Sequence, residues 1–368
     1  MKLNLPELEL RVKQGYIHKF IDRDYIGWNY TTKCQYNEAW DEYTMMTRGI
    51  VSLPDGTVIS RPFTKFFNYG DPRAEPIPWN ELIEITEKLD GSLICVAFYN
   101  GEIIINSRGS FTSIYADFAR EFIDRNMASW KKTELSDSCN GNSKYTYLFE
   151  AIFPEKERPK TINYGDRADL TLLSAINTET GQELEYLSLA RIAKTMGINI
   201  APIYPSGNIN EFIAKCKLRT IKEGEGVVLH FLESNKRVKV KSDEYLRIFR
   251  IMKHASRKHI LASLINGDEL ESVYSTLPDE LYKEFKQKVD GITNEYTDIK
   301  LRSELALSRV LQVTGKKERA LLIINDPEMS LLRSVLFEML NDRGNPSKAI
   351  WDIIRKNTPP EKEFEEDN

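Results

Sequence analysis

Lys88 opens the segment Lys88-Leu-Asp-Gly-Ser92, directly before an apolar run that ends in an Asn-Gly turn. A lysine emerging at a strand's edge, with Asp90 and Gly91 making the turn, can act as a nucleophile once its ammonium loses a proton. An ordinary solvated turn has the same composition. A lone Lys-x-Asp-Gly is expected in about one chain in ten of this length from average composition, so the segment decides nothing by itself and its company matters. Glu150 interrupts the apolar run Leu148-Phe-Glu-Ala-Ile-Phe153, and Glu225 precedes Gly226-Val-Val228. A carboxylate in such a run needs a cation, a metal or a ribose hydroxyl as partner, and a salt bridge to a core lysine would serve equally. Lys239 and Lys241 lie two apart between Val238 and Val240, so both project from one face of a strand. Such a pair is either a solvated outer face or a phosphate clamp. The intervals from Lys88 to Glu150 to Glu225 to Lys239 are 62, 75 and 14 residues.

The elements that must hold these residues carry their own signals in the sequence. Leu93 to Phe98 and Glu102 to Asn106 flank Tyr99-Asn-Gly, a hairpin signal because Asn-Gly supplies the positive φ angles of a tight β-turn. Further strands are predicted at Tyr145 to Phe153, Leu170 to Ile176, Gly226 to Leu232 and Arg237 to Lys241, with helices at about 112 to 130 and 187 to 196. Beyond Lys241 the texture turns helical. Tyr245, Ile248, Phe249 and Met252 recur at helical spacing behind a Ser242/Asp243 cap, and helical patterns follow at Leu277 to Val289, Leu301 to Val313 and Leu331 to Leu340. Turns at Asn266-Gly-Asp and Arg343-Gly-Asn-Pro break that pattern. The expected architecture is an α+β body over 1–242 and an all-helical C-terminal domain over 243–368, whose acidic end, 361–368, is expected to be disordered.

Composition excludes several classes. The 368 residues are 41% apolar and 29% charged with a formal charge of −4, which fits a globular protein and not a collagen, a disordered chain or a disulfide scaffold. No apolar run approaches the roughly 20 residues of a membrane span, and Glu7, Glu9 and Arg11 interrupt a signal-peptide core, so neither membrane insertion nor export is expected. Cys34, Cys95, Cys139 and Cys216 are scattered without a close pair, which suits a reducing cytoplasm and argues against a zinc module. The cluster Lys253-His-Ala-Ser-Arg-Lys-His259 is either a solvated helix face or a contact for RNA backbone.

Taken in order, Lys-x-Asp-Gly, Phe-Glu, Glu-Gly-Val-Val and Lys-x-Lys resemble the motif series of the covalent nucleotidyltransferases, which include ATP-dependent ligases and capping enzymes. Thr47-Arg-Gly-Ile, Arg61-Pro-Phe-Thr-Lys-Phe-Phe-Asn68 and Ser107-Arg-Gly-Ser110 bring the resemblance closest to the RNA ligase 1 family of T4-type bacteriophages, most specifically between residues 47 and 242. One departure is Arg108, which stands where a lysine is usual and replaces a compact ammonium with a planar fork.

The resemblance implies a nucleotidyltransferase (ATP-grasp-like ligase) domain of antiparallel sheets with helices, followed by the helical domain. It implies an ATP-dependent RNA ligase that joins 5′-phosphate to 3′-hydroxyl ends through lysyl-AMP and RNA-adenylate, in RNA or tRNA repair. Lys88 would be the nucleophile; Asp90, Lys239 and Lys241 would complete the catalytic set. Arg48, Lys65, Phe67, Gly91, Arg108 and Glu150 would join Lys88, Lys239 and Lys241 in binding the nucleotide, Glu150 near the ribose and Arg48 and Lys65 on the outgoing phosphates, which Gly49 would let approach closely. Glu225 and Asp90 would hold magnesium, with manganese as a substitute, and the partner would be single-stranded or nicked RNA. A capping guanylyltransferase or a DNA ligase shares the lysine chemistry but normally continues into an OB-fold barrel, where this chain turns helical. A non-catalytic RNA-binding protein would have no use for the intact set.

Overall fold

The computed structural model describes residues 1–126, 144–153, 161–254, 257–267, 270, 279–341 and 344–358. The chain divides into two compact units, Met1–Leu246 and Arg247–Glu365.

In the first unit, helix α1 (Leu5–Gln14) starts over Pro6 and stops at Gly15, whose φ of 77° takes the left-handed cap that an L side chain would strain. Strands β1 (Ile17–Asp22) and β2 (Tyr25–Tyr30) form an antiparallel hairpin. The short helices α2 (Thr32–Tyr36) and α3 (Glu42–Met46) lead to β3 (Arg48–Ser52) and β4 (Val58–Ser60), which complete a four-stranded sheet in the order β1-β2-β3-β4. The segment then crosses through β5 (Phe67–Asn68) to β6 (Ile83–Lys88), the strand that ends on the expected nucleophile.

The Asn-Gly hairpin is β7 (Ser92–Tyr99) and β8 (Glu102–Ser107), with Asn100 at φ 48° and Gly101 at φ 77° as the turn requires. With β9 (Tyr145–Ile152) and β10 (Asp169–Asn177) it forms an antiparallel sheet in the order β10-β9-β7-β8. One face of that sheet buries Ile94, Val96, Phe149 and Leu170 under helices α4 (Ile114–Asn126) and α5 (Tyr186–Met196). The expectation for α4 extends to about residue 130, of which 127–130 lie outside the described residues.

The third sheet carries the rest of the motif residues. β11 (Ile203–Tyr204), β12 (Gly226–Phe231) and β13 (Lys236–Lys241) join β6 and β5 in the order β11-β6-β12-β13-β5, antiparallel except for the β13–β5 pair. Its core face, Ile85, Val227, Leu229, Val238 and Val240, packs on Ile213 and Cys216 of helix α6 (Ile209–Lys217). Helix α7 (Asp243–His254) follows β13, and its first turn is capped as expected, Tyr245 N–H donating to Ser242 Oγ at 3.1 Å.

The second unit continues with α8 (Arg257–Asn266), α9 (Asp279–Leu311), α10 (Lys316–Asn325), α11 (Arg333–Met339) and α12 (Pro346–Asn357), around a core of Ile260, Ile292, Val310, Val335 and Ile350. Two of the expected helical stretches, 277–289 and 301–313, merge into the single 33-residue α9. Gly291 at its middle meets no neighbouring atom within 4 Å, and the apolar period runs straight through it. The described chain is therefore α+β with largely antiparallel sheets. No helix among the described residues is long and apolar enough to cross a membrane. Cys139, the acidic end 361–368, and residues 255–256, 268, 277–278 and 343 of the expected helical patterns, turns and basic cluster lie outside the described residues.

Candidate active site

Period two along paired strands decides what the five-stranded sheet shows on the face away from α6. The register sets Gly226 opposite both Lys88 and Lys241, Val228 opposite Thr86 and Lys239, and His230 opposite Glu84 and Arg237. Because alternate side chains share a face, these are three successive rows about 7 Å apart on one surface: Lys88–Gly226–Lys241, then Thr86–Val228–Lys239, then Glu84–His230–Arg237. Facing them, Leu93 of β7 lies opposite Glu150 of β9, and Leu173 comes in at a register shift of β10 between Leu172 and Ser174, an irregularity that re-aims a side chain. Between the two surfaces lies a cleft of roughly 820 Å³, open to solvent, lined by Arg48, Phe66, Lys88, Leu93, Glu150, Val228 and others.

At the first row Gly226 has no side chain to interpose. Its φ is 152°, and an added Cβ would fall 2.1 Å from the Val240 carbonyl oxygen. Into the gap reaches the Glu225 carboxylate, 1% exposed, accepting from Lys88 Nζ at 2.8 Å through Oε2 and lying 3.2 Å from Lys241 Nζ through Oε1. Burial opposes the charge on Glu225, but Lys88 and Lys241 outweigh it and hold the carboxyl below the usual range. The converse holds for Lys88: burial pulls its pKa down, while Glu225, Glu150 and Asp90 push it up further, leaving it above the ordinary lysine value. The nearest groups thus favour the ammonium, not the free amine. Lys239 sits well below the ordinary value, first through burial and then through repulsion from Lys65, Lys241, Lys88 and Arg48.

Asp90 and Gly91 are tied to segment 161–164 and to β9. Ile162 N–H donates to Asp90 Oδ2 at 3.0 Å, Asp90 N–H donates to the Tyr164 hydroxyl at 2.8 Å, and Gly91 N–H donates to Glu150 Oε1 at 2.9 Å. A Cβ on Gly91 would meet the Ala151 carbonyl oxygen at 2.4 Å, so only glycine lets the turn lie on β9. The Tyr245 hydroxyl, bonded to Thr161 and Asp90, is buried and raised well above its usual pKa, first by desolvation and then by Glu225 and Asp90.

Arg48 and Lys239 approach the Phe66 ring at 5.5 and 5.6 Å. Lys65 is buried in an aromatic cage, its Nζ 5.0 Å from the Trp40 ring, 5.5 Å from Phe67 and 5.6 Å from Tyr30. Phe66 therefore lines the cleft, while Phe67 turns into the cage. Arg108 donates to the Tyr30 hydroxyl at 3.3 Å. Gly49 differs from the expectation: with φ 92° and a would-be Cβ 2.9 Å from the Arg108 carbonyl oxygen, its bareness admits the Arg108 backbone. Thr86 and Leu93 belong to no motif, although strand alternation from Lys88 points to Thr86; Val228 closes the Glu-Gly-Val-Val motif and pairs with Lys239 across the strands. Tyr30 and Trp40 carry no local signal.

A hard cation that keeps several waters needs one or two carboxylates beside a phosphate, not a closed cage. No group of three or more His, Cys, Asp or Glu side chains suited to a metal occurs among the described residues. Glu225 Oε1 is buried and, despite its ion pair with Lys241, has no hydrogen-bond partner of proper geometry. A carboxylate oxygen of this kind, ion-paired to Lys241 but accepting no well-aligned hydrogen bond, fits magnesium.

Known proteins share both the sequence pattern and the architecture. A family model for RNA ligase, of the T4 type 1 class, matches residues 46–245. A putative RNA ligase of Thermovibrio ammonificans is 28% identical over 318 residues, 84% of this chain and 80% of that protein. A putative bifunctional polynucleotide kinase/RNA ligase of Autographa californica nuclear polyhedrosis virus is 26% identical over 272 residues, 68% of this chain but only 38% of the viral protein. Among solved structures, a putative ATP-dependent DNA ligase from Aquifex aeolicus superposes with a TM-score of 0.50 at 15% identity, covering 84% of this chain and 88% of that one. That last likeness is one of fold.

Proposed function

This chain belongs to the RNA ligase family, and we propose that it seals RNA 5′-phosphate and 3′-hydroxyl ends with ATP through a covalent lysyl-AMP on Lys88. The observation that carries the reading is the bridge from Lys88 through Glu225 to Lys241, with Lys88 and Glu150 lining the cleft and Lys239 one row along the same face of the sheet. Lys88 Nζ attacks the α-phosphorus of ATP and pyrophosphate leaves. The 5′-phosphate of the RNA then takes AMP from the lysine, and the 3′-hydroxyl finally displaces AMP.

The roles of the side chains follow from their charges. Lys239 and Lys241 neutralise charge growing on the phosphate, and their repulsion opposes the carboxylates that keep Lys88 protonated. The proton on Lys88 Nζ has Glu225 Oε2 as an acceptor at 2.8 Å. Glu150 accepts from the ribose hydroxyls, while Arg48 and Lys65 neutralise the departing pyrophosphate. Glu225, with Asp90, would hold magnesium, which when bound supplies charge neutralisation to the phosphate oxygens. Single-stranded or nicked RNA, tRNA included, is the substrate class.

The test is incubation with α-labelled ATP and magnesium, followed by 5′-phosphorylated RNA or the same strand in DNA. The wild type is expected to take up label and seal RNA in preference to DNA. Lys88→Ala is expected to take up none, yet to seal RNA supplied already adenylylated at its 5′ end. An undiminished adduct in Lys88→Ala overturns the assignment.

A further inference from the structure

Glu225 is flanked by Gly224 at φ 117° and Gly226 at φ 152°. Two glycines in conformations that L side chains rarely adopt leave the local chain little means of fixing the carboxylate between them. What fixes it must come from outside the segment.

Glu87 is the neighbour of Lys88 in sequence and, by strand alternation, lies on the opposite face of β6, where its register partner is the core residue Val227. Its side chain is 10% exposed. Oε2 accepts from the Tyr204 hydroxyl of β11 at 2.5 Å and from Arg219 Nη1 at 3.0 Å. Oε1 abuts the backbone of Gly224, where a Cβ would lie 2.3 Å away. The segment leaving Arg219 is therefore clamped at both ends by one carboxylate, by an ion pair at Arg219 and by close apposition at Gly224, immediately before Glu225. Arg219 also lies over the Tyr204 ring at 4.9 Å. Between the clamps a short 3-10 turn, Ile221–Glu223, is closed by the Thr220/Glu223 capping box.

We propose that Glu87 is a positioning residue which, with Arg219, fixes segment 219–225 and so holds the Glu225 carboxylate against Lys88. One strand then presents the nucleophile on one face and the anchor of its counter-ion on the other, so the spacing of the pair is built into β6. No motif of the expected active-site set includes Glu87, Tyr204 or Arg219. The inference rests on the ligase reading only for its activity readout.

The experiment compares full-length wild type, Glu87→Ala, Glu87→Gln, Arg219→Ala and the double alanine variant by two measurements. Hydrogen–deuterium exchange over residues 219–226 is expected to accelerate about tenfold in Glu87→Ala and Arg219→Ala, with β7 and β9 unchanged. The magnesium concentration that half-saturates lysyl-AMP formation is expected to rise about tenfold, while the KM for ATP stays within about twofold. The double variant is expected to be no worse than Glu87→Ala, because both single changes break one clamp. Glu87→Gln, which keeps an acceptor for Tyr204 and Arg219, is expected to recover most of both effects. Unchanged exchange and magnesium demand, or single effects that multiply in the double variant, overturn the proposal. Should Glu87→Ala fail to fold, Arg219→Ala and Glu87→Gln decide alone. A wild type that forms no adduct refutes the ligase reading instead, and the exchange measurement still decides this one.

Discussion

A carboxylate 1% exposed between the buried Lys241 ammonium and the largely buried Lys88 ammonium is stable only as part of the triad. Removing its charge leaves Lys88 and Lys241 buried without their shared counter-ion, and breaking a buried pair from one side typically costs about 3 kcal/mol or more. Glu225→Gln is therefore expected to lower unfolding stability at neutral pH by about 3 kcal/mol in urea titration, as well as to abolish adduct formation. The pH dependence has a definite sign. Glu225 is lowered in the folded state, so its contribution is present above the unfolded carboxyl value and disappears as pH falls through the depressed folded one. Lys88 is raised, so its contribution is present below the unfolded lysine value and is lost as pH rises through the elevated folded one. The stability difference between wild type and Glu225→Gln should thus be flat across neutrality and shrink at both extremes. A difference that peaks in acid would show that the triad is not the source.

Strands with period two make much of the site legible in the sequence, and contacts between distant segments make the rest illegible. Spacing alone sets Lys239 and Lys241 on one face, and Glu150 stands out because it breaks an apolar run that proves to be β9. Leu173 has no such marker, since a register shift re-aims it and nothing local signals the shift. The aromatic cage of Lys65 draws Tyr30 from β2, Trp40 from the turn after α2 and Phe67 from β5. Only the tertiary fold brings these together. The same limit hides α1 and the β1–β2 hairpin, which carry no motif residue and whose turn lacks an Asn-Gly. At this scale glycine positions separate strain from contact. Gly101, at φ 77° with nothing within 4 Å of a would-be Cβ, should tolerate alanine at a cost of about 1 kcal/mol in hairpin strain. Gly226→Ala adds a collision with the Val240 carbonyl to comparable strain and is expected to cost about 3 kcal/mol. Denaturation midpoints of the two variants measure the difference, and equal losses would mean that β12 and β13 move apart freely.

For the whole molecule, the question is where the adenylylating part ends. Lys241 is the last motif residue, which by sequence puts the boundary at 242, but the first turn of α7 still serves the site. Glu244 Oε2 accepts the Ile221 N–H at 2.8 Å in the segment that leads to Glu225, and Tyr245, 2% exposed, bonds Asp90 beside the nucleophile. Both lie within the unit Met1–Leu246. A chain ending at Ser242 would keep every motif and lose both supports, whereas one ending at His254 keeps the whole of α7. We expect the 1–242 fragment to form at most about a tenth of the full-length lysyl-AMP, because ligands held a fraction of an ångström off position lose most of their effect. The 1–254 fragment should form adduct at nearly full yield. If the remaining helices serve to recognise folded RNA, that fragment should seal linear RNA well and a nicked hairpin poorly. Adduct yield and sealing rates on both RNAs, for all three lengths, measure this. Equal adduct from 1–242 and 1–254 would remove α7 from the active site, and an unchanged preference between the two RNAs in 1–254 would leave the helical unit without a part in recognition.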